Sequence, residues 1–155
     1  MGKRKLARPI DLRTPLHVVL RSARARESWS LRKQQNARRV ERTLRRFAKR
    51  YGLRVYRFAN AGNHLHILIK SRCRLGVQNF LRAFAGVTAR LVTGARKGLA
   101  VGPFWDFLSY SRIVRWGRDF RGVRAYVARN ELEAMGRVPY LPRSARMSQT
   151  SRRLE

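Results

Sequence analysis

The chain has 155 residues, the length of one domain rather than two. Hydrophobic residues make up 44% and aromatic residues 10%, so the chain can bury a core, which argues against a wholly disordered protein. Lys and Arg number 37 against 8 Asp and Glu, a net charge of +29. A compact domain this basic repels itself unless it meets a polyanion, which is commonly nucleic acid.

Local sequence patterns argue against membrane proteins, secreted proteins and proteins with disulfides or cysteine-rich zinc sites. The longest apolar runs, such as residues 65–69, are far shorter than the roughly 20 residues of a membrane span, so we expect no membrane partner. No apolar stretch follows the basic N-terminus to make a signal peptide. A single cysteine, Cys73, excludes an internal disulfide and a cysteine-rich zinc site. We therefore expect a cytoplasmic protein.

The first half of the chain is predicted to hold three strands and a helix. Residues 1–13 are typical of a flexible basic arm, and residues 16–20 predict a buried strand. An apolar stripe at helical spacing predicts a helix that starts after Ser28 or Ser30 and ends at Gly52. Residues 53–59 and 64–70 then predict a β-hairpin with a loop of about four residues.

The second half is predicted to add two helices and a strand. Helical spacing of apolar residues covers residues 77–91, and residues 108–116 can form a fourth strand. Asp119 is expected to cap a third helix that runs to about Met135, and residues 141–155 predict a disordered basic tail. The order predicts one α+β domain over residues 14–140, with a mostly antiparallel four- or five-stranded sheet and helices on both faces, as in ferredoxin-like sandwiches.

Two of the three histidines, His64 and His66, lie on the predicted third strand. Strand side chains alternate, so these imidazoles point to the same face, about 6.5–7 Å apart. The opposite face carries Leu65, Ile67 and Ile69, which places the histidines away from the core helices. Two imidazoles can bind one divalent ion, although two ordinary half-exposed strand histidines give the same pattern.

The third helix carries a second polar pair, Tyr126 and Asn130, which lie one turn apart on the same side. A tyrosine hydroxyl can act as a covalent nucleophile, and an amide oxygen can complete a metal's coordination. A packed tyrosine and a capping asparagine are the alternative interpretation. The remaining histidine, His17, is expected to be a hydrogen-bonded histidine of the sheet, with a DNA contact as the alternative.

The two pairs together resemble a known family. The segment HLHILIK, with His64 and His66, resembles the His-hydrophobe-His strand of the HUH endonucleases. The segment AYVARN, with Tyr126, resembles the nucleophile helix of their single-tyrosine transposases, most closely the REP-associated tyrosine transposases. The resemblance covers residues 14–136 and implies an HUH-type sandwich in a bacterial, nucleoid-associated protein.

The resemblance implies an enzyme that nicks and rejoins single-stranded DNA, often beside a hairpin, with Mg²⁺ or Mn²⁺. His64 and His66 would be metal ligands, and Tyr126 would attack a phosphodiester and remain joined to the 5′ phosphate. Asn130 takes the place of the third ligand, where the insertion-sequence enzymes commonly have Gln. Insertion-sequence relatives are dimers and REP-associated relatives act as monomers, so a homodimer remains open.

Basic and aromatic residues supply candidate DNA contacts. Seven basic residues on or beside the predicted strands and third helix are predicted to bind DNA: Arg21, Arg57, Lys70, Arg72, Arg112, Arg115 and Arg129. The arginine-rich first helix is predicted to track phosphates, or else to be a solvated face. The three tryptophans and Tyr110 are expected mainly in the core, with one or two beside the basic surface able to stack on unpaired bases.

Two further functions remain open from the sequence. One is a non-catalytic RNA- or single-stranded-DNA-binding protein on the same scaffold. The other is a domesticated relative that processes chromosomal repeats without moving itself. A pure binder has no need of the set His64, His66 and Tyr126, which therefore favours an enzyme.

Overall fold

A computed structural model describes residues 8–142 of the chain. Residues 1–7 of the predicted arm and 143–155 of the predicted tail lie outside the described residues. The strands are β1 (Leu16–Arg21), β2 (Leu53–Asn60), β3 (His64–Ser71) and β4 (Tyr110–Ile113), and the helices are α1 (Gln34–Arg50), α2 (Arg74–Thr93) and α3 (Arg118–Ala134). A short 3₁₀ helix, Glu27–Trp29, precedes α1.

The four strands form one antiparallel sheet in the order β2-β3-β1-β4. The predicted hairpin is confirmed: β2 and β3 are joined through a turn in which Gly62 has φ +93°, a conformation that favours glycine. The side chain of Asn60 accepts a hydrogen bond from the Gly62 amide at 3.0 Å, which closes the turn.

Strand alternation gives the sheet two apolar faces, each covered by helices. The aliphatic residues of β1 and β3 that include Val18 and Ile67 pack with α1 and α2 around Phe80 and Phe84. On the other face, Leu68 packs with Ala59, Val114 and the α3 residues Val123 and Val127. The molecule is therefore a three-layer α+β sandwich with helices on both faces, as predicted.

The predicted helix starts are wrong. Helix α1 begins at Gln34 behind Lys33, which makes no side-chain capping bond, while the Ser30 hydroxyl accepts a hydrogen bond from the Arg32 amide. Helix α3 follows Gly117, and Asp119 already lies in its first turn. Asp119 is inside the helix and not at its N-cap position, and its carboxylate accepts hydrogen bonds from the Arg112 guanidinium and the Arg115 amide.

The described end of the predicted arm is hydrogen-bonded to the domain. The Arg8 guanidinium donates to the main-chain oxygen and hydroxyl of Ser109 and to the hydroxyl of Ser111. The Trp116 indole donates to the carbonyl of Arg13 at 2.9 Å. Residues 8–13 therefore lie against β4 and the segment that follows it.

Candidate active site

The register of β1 and β3 places the three histidines on the sheet face that α3 covers. His66 is paired with Val19, and His64 with Arg21, so His17 is a diagonal neighbour of His66. The ring centroid of His66 lies 4.8 Å from that of His64 and 5.3 Å from that of His17. The prediction that His64 and His66 face away from α1 and α2 is confirmed, and the fold adds His17 to them.

His17 and His66 form a buried, hydrogen-bonded pair. Nε2 of His17 lies 3.2 Å from Nδ1 of His66, and the two rings are stacked at 15°. Burial lowers the pKa of His17 to about 4, and the positive charge of Arg112 contributes in the same direction. His17 is therefore neutral near pH 7, with one ring nitrogen that donates and one that accepts. The sequence predicted a satisfied sheet histidine here, but carried no signal that its partner is His66.

His64 is half-buried at the end of the hairpin. Its Nδ1 lies 2.6 Å from the side-chain oxygen of Asn63, which can only accept, so Nδ1 carries the proton and donates. Burial lowers the pKa of His64, and Arg21 on the neighbouring strand lowers it further. A neutral imidazole with its proton on Nδ1 leaves Nε2 as the nitrogen able to bind a metal.

Helix α3 sets Tyr126 against this cluster. The Tyr126 ring meets His66 edge-on at a centroid distance of 5.6 Å and His17 at 6.3 Å. The tyrosine is nevertheless 40% exposed, so a substrate can approach it from solvent. The structure thus brings the predicted nucleophile to the predicted metal ligand His66.

Asn130 lies one turn further along α3 and is buried. Its amide nitrogen donates to the main-chain oxygen of Tyr126 at 2.7 Å. This bond uses the nitrogen of the amide, and the oxygen is the atom that can ligate a cation. The arrangement is compatible with the predicted role of Asn130 and also ties its amide to the turn that carries Tyr126.

Two ion pairs hold α3 across the sheet. Arg112 of β4 pairs with Asp119 near the start of the helix, and Arg57 of β2 pairs with Glu131 near its end, each at 2.8 Å. Both arginines lie in the same row of the sheet as His17. Twelve residues of helix rise about 18 Å, and three strand spacings cover about 14 Å, a difference that arginine side chains span. The pairs therefore direct α3 along the row beneath Tyr126.

The seven basic residues predicted to bind DNA fall into two groups. Four are engaged by acidic side chains: Arg21 with Asp106, Arg57 with Glu131, Arg112 with Asp119 and Arg129 with Glu133. Lys70, Arg72 and Arg115 form no ion pair within residues 8–142. Arg57 and Arg112 thus join the sheet to α3 within the chain, which the sequence alone did not indicate.

The arginine-rich surface of α1 lies on the other side of the sheet from the histidines. The helix packs through Val40, Leu44 and Phe47 into the core that it shares with α2, and its arginines are turned to solvent. The molecule therefore presents two basic surfaces, one behind the sheet and one around the histidines.

Two aromatic side chains expected in the core are exposed instead. Tyr110 is 59% exposed, and Trp116 is 48% exposed and in ring contact with Tyr56 and Phe120. Tyr110 lies on β4, which is an edge strand of the sheet. Tyr110 shares a sheet row with His66 through Val19, so an aromatic ring lies open to solvent beside the histidines.

His64, His66 and Asn130 supply imidazole and amide groups, which are donor types that bind divalent metals. Across residues 8–142 there is no group of three or more His, Cys, Asp or Glu side chains able to hold a metal ion. The proposed set of His64, His66 and Asn130 has only two members of these residue types, because its third donor is the amide oxygen of an asparagine. A metal binds only the neutral imidazole, and burial, together with Arg21, favours that form of His64.

A cavity of about 510 Å³ lies elsewhere, at the free edge of β2 between α1 and the end of α3. None of the histidines lines it, and its charged wall consists of two ion pairs, Arg45 with Glu41 and Arg57 with Glu131, together with Arg32. The chemistry-bearing residues are therefore on the open sheet face and not in this cavity.

In the described part of the chain, every helix is too short or too polar to cross a bilayer.

Comparison with known proteins places this geometry among transposases. Residues 13–130 match the family described as transposase IS200 like. The fold is similar to a solved REP-associated tyrosine transposase bound to a REP hairpin, with TM-score 0.62 and 11% identity over 88% of this chain and 76% of that chain. A weaker similarity, TM-score 0.49 and 15% identity over 84% of this chain and 98% of that one, is to a candidate transposase from Deinococcus radiodurans R1. No curated protein sequence matches significantly.

Proposed function

The chain belongs to the family of IS200-like transposases, and from its site we propose that it nicks and rejoins single-stranded DNA with a divalent metal, through a 5′-phosphotyrosine at Tyr126. The observation that carries the proposal is the edge-on contact of Tyr126 with His66, at a centroid distance of 5.6 Å. A protein that only binds DNA has no use for a half-exposed tyrosine over buried imidazoles. We propose that the protein acts on DNA in the bacterial cytoplasm.

The proposed step transfers a phosphoryl group to Tyr126. The phenolic oxygen forms a bond to phosphorus and releases its proton to solvent, while the bond from phosphorus to the 3′ oxygen of the preceding nucleotide breaks. That oxygen takes up a proton and leaves as a 3′ hydroxyl. In rejoining, a 3′ hydroxyl attacks the phosphotyrosine and restores the phenol, so the bond energy is conserved and no nucleotide cofactor is consumed.

His64, His66 and Asn130 are proposed to hold Mg²⁺ or Mn²⁺. When bound, the ion would draw charge from a non-bridging phosphate oxygen, which assists a nucleophile whose unperturbed pKa is near 10. Imidazole ligands favour Mn²⁺ over Mg²⁺. The chain's own part is to keep His64 neutral and fixed: burial and then Arg21 lower the pKa of His64, and the side-chain oxygen of Asn63 accepts a hydrogen bond from its Nδ1.

The proposed substrate is a single strand next to a hairpin. The structurally similar REP-associated transposase is bound to a hairpin. In this chain, the exposed ring of Tyr110 beside the histidines offers a face for an unpaired base, and Lys70, Arg72 and Arg115 offer charges for phosphates. Tyr126 meets the histidine of its own chain, so one copy carries both halves of the site and a homodimer is not required.

The test of the proposal is a covalent adduct on Tyr126. A 3′-labelled single strand with Mn²⁺ should give a denaturant-resistant adduct, and the labelled peptide should contain Tyr126. Tyr126→Phe removes one oxygen and keeps the ring, so it should bind the same DNA and give neither adduct nor nick. Tyr51→Phe, which changes a tyrosine at the end of α1 on the other side of the sheet, is the matched control and should keep the adduct. An adduct on another tyrosine, or nicking by Tyr126→Phe, contradicts the proposal, and binding without any adduct in the wild-type protein indicates a non-catalytic binder.

The metal ligands are tested by graded Mn²⁺. His64→Ala and His66→Ala should each abolish cleavage at all Mn²⁺ concentrations, because each removes a ligand, while binding of single-stranded DNA largely persists. Asn130→Ala should reduce cleavage less, since water can take one coordination position. Single-turnover cleavage and DNA binding are measured side by side. Wild-type cleavage by either histidine variant shows that the site is assigned wrongly.

A further inference from the structure

His17 has no role in the proposed chemistry, yet it is the histidine most tightly joined to a proposed ligand. Its Nε2 is 3.2 Å from Nδ1 of His66, the rings are stacked at 15°, and both residues are buried. The contact arises because His17 precedes Val19 by two positions on β1, and Val19 is the partner of His66 across the sheet. No other described residue is recorded as a hydrogen-bond partner of the His17 ring.

We propose that His17 is a positioning residue, which accepts a hydrogen bond from Nδ1 of His66 and thereby makes Nε2 of His66 the nitrogen that binds metal. The proposal takes from the proposed function only the assignment of His66 as a ligand. It concerns the proton position and orientation of the His66 ring, which exist in the metal-free protein as well.

Proton counting supports this direction of the bond. Two neutral imidazoles in contact through one nitrogen each can share only one proton, so one ring donates and the other accepts. If His66 donates, its Nε2 carries a lone pair; if His17 donates, Nε2 of His66 carries the proton and cannot ligate. Ligation by His66 therefore requires His17 to be the acceptor.

The neighbouring ligand shows the same arrangement. Nδ1 of His64 donates to the side-chain oxygen of Asn63 at 2.6 Å, which likewise leaves Nε2 for a metal. Both proposed imidazole ligands thus have a hydrogen-bond acceptor on Nδ1, Asn63 at the surface and His17 in the interior. Such partners fix ring orientation and tautomer, and losing one typically weakens metal binding by about 10- to 100-fold.

The orientation of His66 also bears on the nucleophile. Tyr126 meets the ring of His66 at 89° and that of His17 at 79°, so the tyrosine contacts the edges of a stacked pair. A rotated His66 ring would disturb the metal ligand and the packing of Tyr126 together. His17 therefore acts on both halves of the proposed site through one hydrogen bond.

Two substitutions separate positioning from packing. His17→Phe keeps an aromatic ring of similar size and removes the acceptor. His17→Gln loses the ring, but its amide oxygen reaches about as far from the main chain as the imidazole Nε2 and can accept the same bond. If His17 only fills space, Phe is the better replacement; if it positions His66, Gln is. Thermal unfolding shows that each variant is folded.

The first measurement uses metal-free, DNA-free protein. Long-range ¹H–¹⁵N spectra of the imidazole nitrogens should show His66 as the Nδ1-protonated tautomer in the wild type and in His17→Gln. In His17→Phe, a substantial fraction should convert to the Nε2-protonated tautomer. A wild-type His66 with its proton on Nε2 overturns the proposal by itself, whether or not any variant folds.

The second measurement is Mn²⁺ binding followed by electron paramagnetic resonance, again without DNA. His17→Phe should bind Mn²⁺ about 10- to 100-fold more weakly, and His17→Gln within about threefold of the wild type. Wild-type affinity in a folded His17→Phe overturns the proposal. The Tyr126 adduct is scored separately, so a protein that shows the tautomer effect but forms no adduct refutes the proposed function and not the role of His17.

Discussion

At the scale of single residues, burial decides the proton state of the imidazoles. Burial between the sheet and α3 lowers the pKa of His17 to about 4, and partial burial, together with the charge of Arg21, lowers the pKa of His64. Both shifts favour the neutral form that a metal ligand or a hydrogen-bond acceptor needs near pH 7. The same burial costs stability in acid, because an unfolded histidine gains a proton that the folded one resists.

This cost predicts a pH dependence of stability. Between pH 6.5, the usual value, and about 4, the unfolded chain binds a proton at His17 that the native protein does not, so the free energy of unfolding falls as the pH is lowered. For His17 the loss is about 3 kcal/mol across that window, and His64 acts in the same direction. Urea unfolding with EDTA at several pH values should show a shallower dependence for His17→Phe than for the wild type.

Carboxylates that ionise in the same range affect both proteins equally, so the difference between the two pH profiles isolates His17. Parallel profiles for wild type and His17→Phe contradict the lowered pKa. If the free energy of unfolding of the wild type rises relative to that of His17→Phe as the pH is lowered, the direction of the pKa shift is contradicted.

At the scale of elements, the position of Tyr126 depends on how α3 crosses the sheet. Val123 and Val127 supply the buried apolar contact, but apolar packing alone permits sliding. The pairs of Asp119 with Arg112 and Glu131 with Arg57 join the ends of the helix to opposite edge strands. Half-exposed ion pairs of this kind contribute only about 0.5–1 kcal/mol each, so their main effect is on alignment.

The alignment predicts a kinetic defect with intact binding. The double variant Asp119→Asn, Glu131→Gln should cleave about 10- to 100-fold more slowly, because a nucleophile displaced by about 1 Å loses rate steeply. DNA binding should not weaken, since two negative charges are removed. Glu41→Gln, which breaks the Arg45 pair within α1, is the matched control and should cleave normally. Wild-type single-turnover rates in the double variant would refute the alignment argument.

At the scale of the whole molecule, the basic side chains of residues 8–142 lie on both sides of the sheet. The α1 arginines and the histidine face are separated by two layer spacings, about 20 Å. A short single strand held at Tyr126 therefore contacts one surface only, and a longer DNA can reach both. Charge at the two surfaces should then act differently on strands of different length.

Salt dependence measures this division. Each phosphate contact on a single strand contributes about −0.7 to the slope of log affinity against log salt. Replacing Arg38, Arg42 and Arg46 of α1 by Gln should leave the slope for a strand of about 8 nucleotides unchanged and reduce it by about 2 for one of about 30. Replacing Lys70, Arg72 and Arg115 removes the same charge and should reduce both slopes. Equal effects of the two sets on the short strand would contradict the division.

Much of the architecture was predictable because local spacing reports which face of an element is buried. The alternation in residues 53–70 predicted the hairpin to within one residue at either end, and the apolar stripes predicted α1, α2 and α3. Alternation also put His64 and His66 on one face of β3. The family followed from the residues of two short segments and is confirmed by the match over residues 13–130. The role of Tyr126 that the family implies stays a prediction.

What only the tertiary structure decided are the contacts between elements distant in sequence. His17 and His66 are 49 positions apart and meet because of the register between β1 and β3. Arg57 and Arg112 form ion pairs with Glu131 and Asp119 of α3, which lie 74 and 7 positions away in the sequence. Hydrophobic periodicity indicates which face of an element is buried, but it does not identify the element against which that face packs. Strand register and layer order come from long-range pairing and close packing of the whole chain, and these determined the partners within the candidate site.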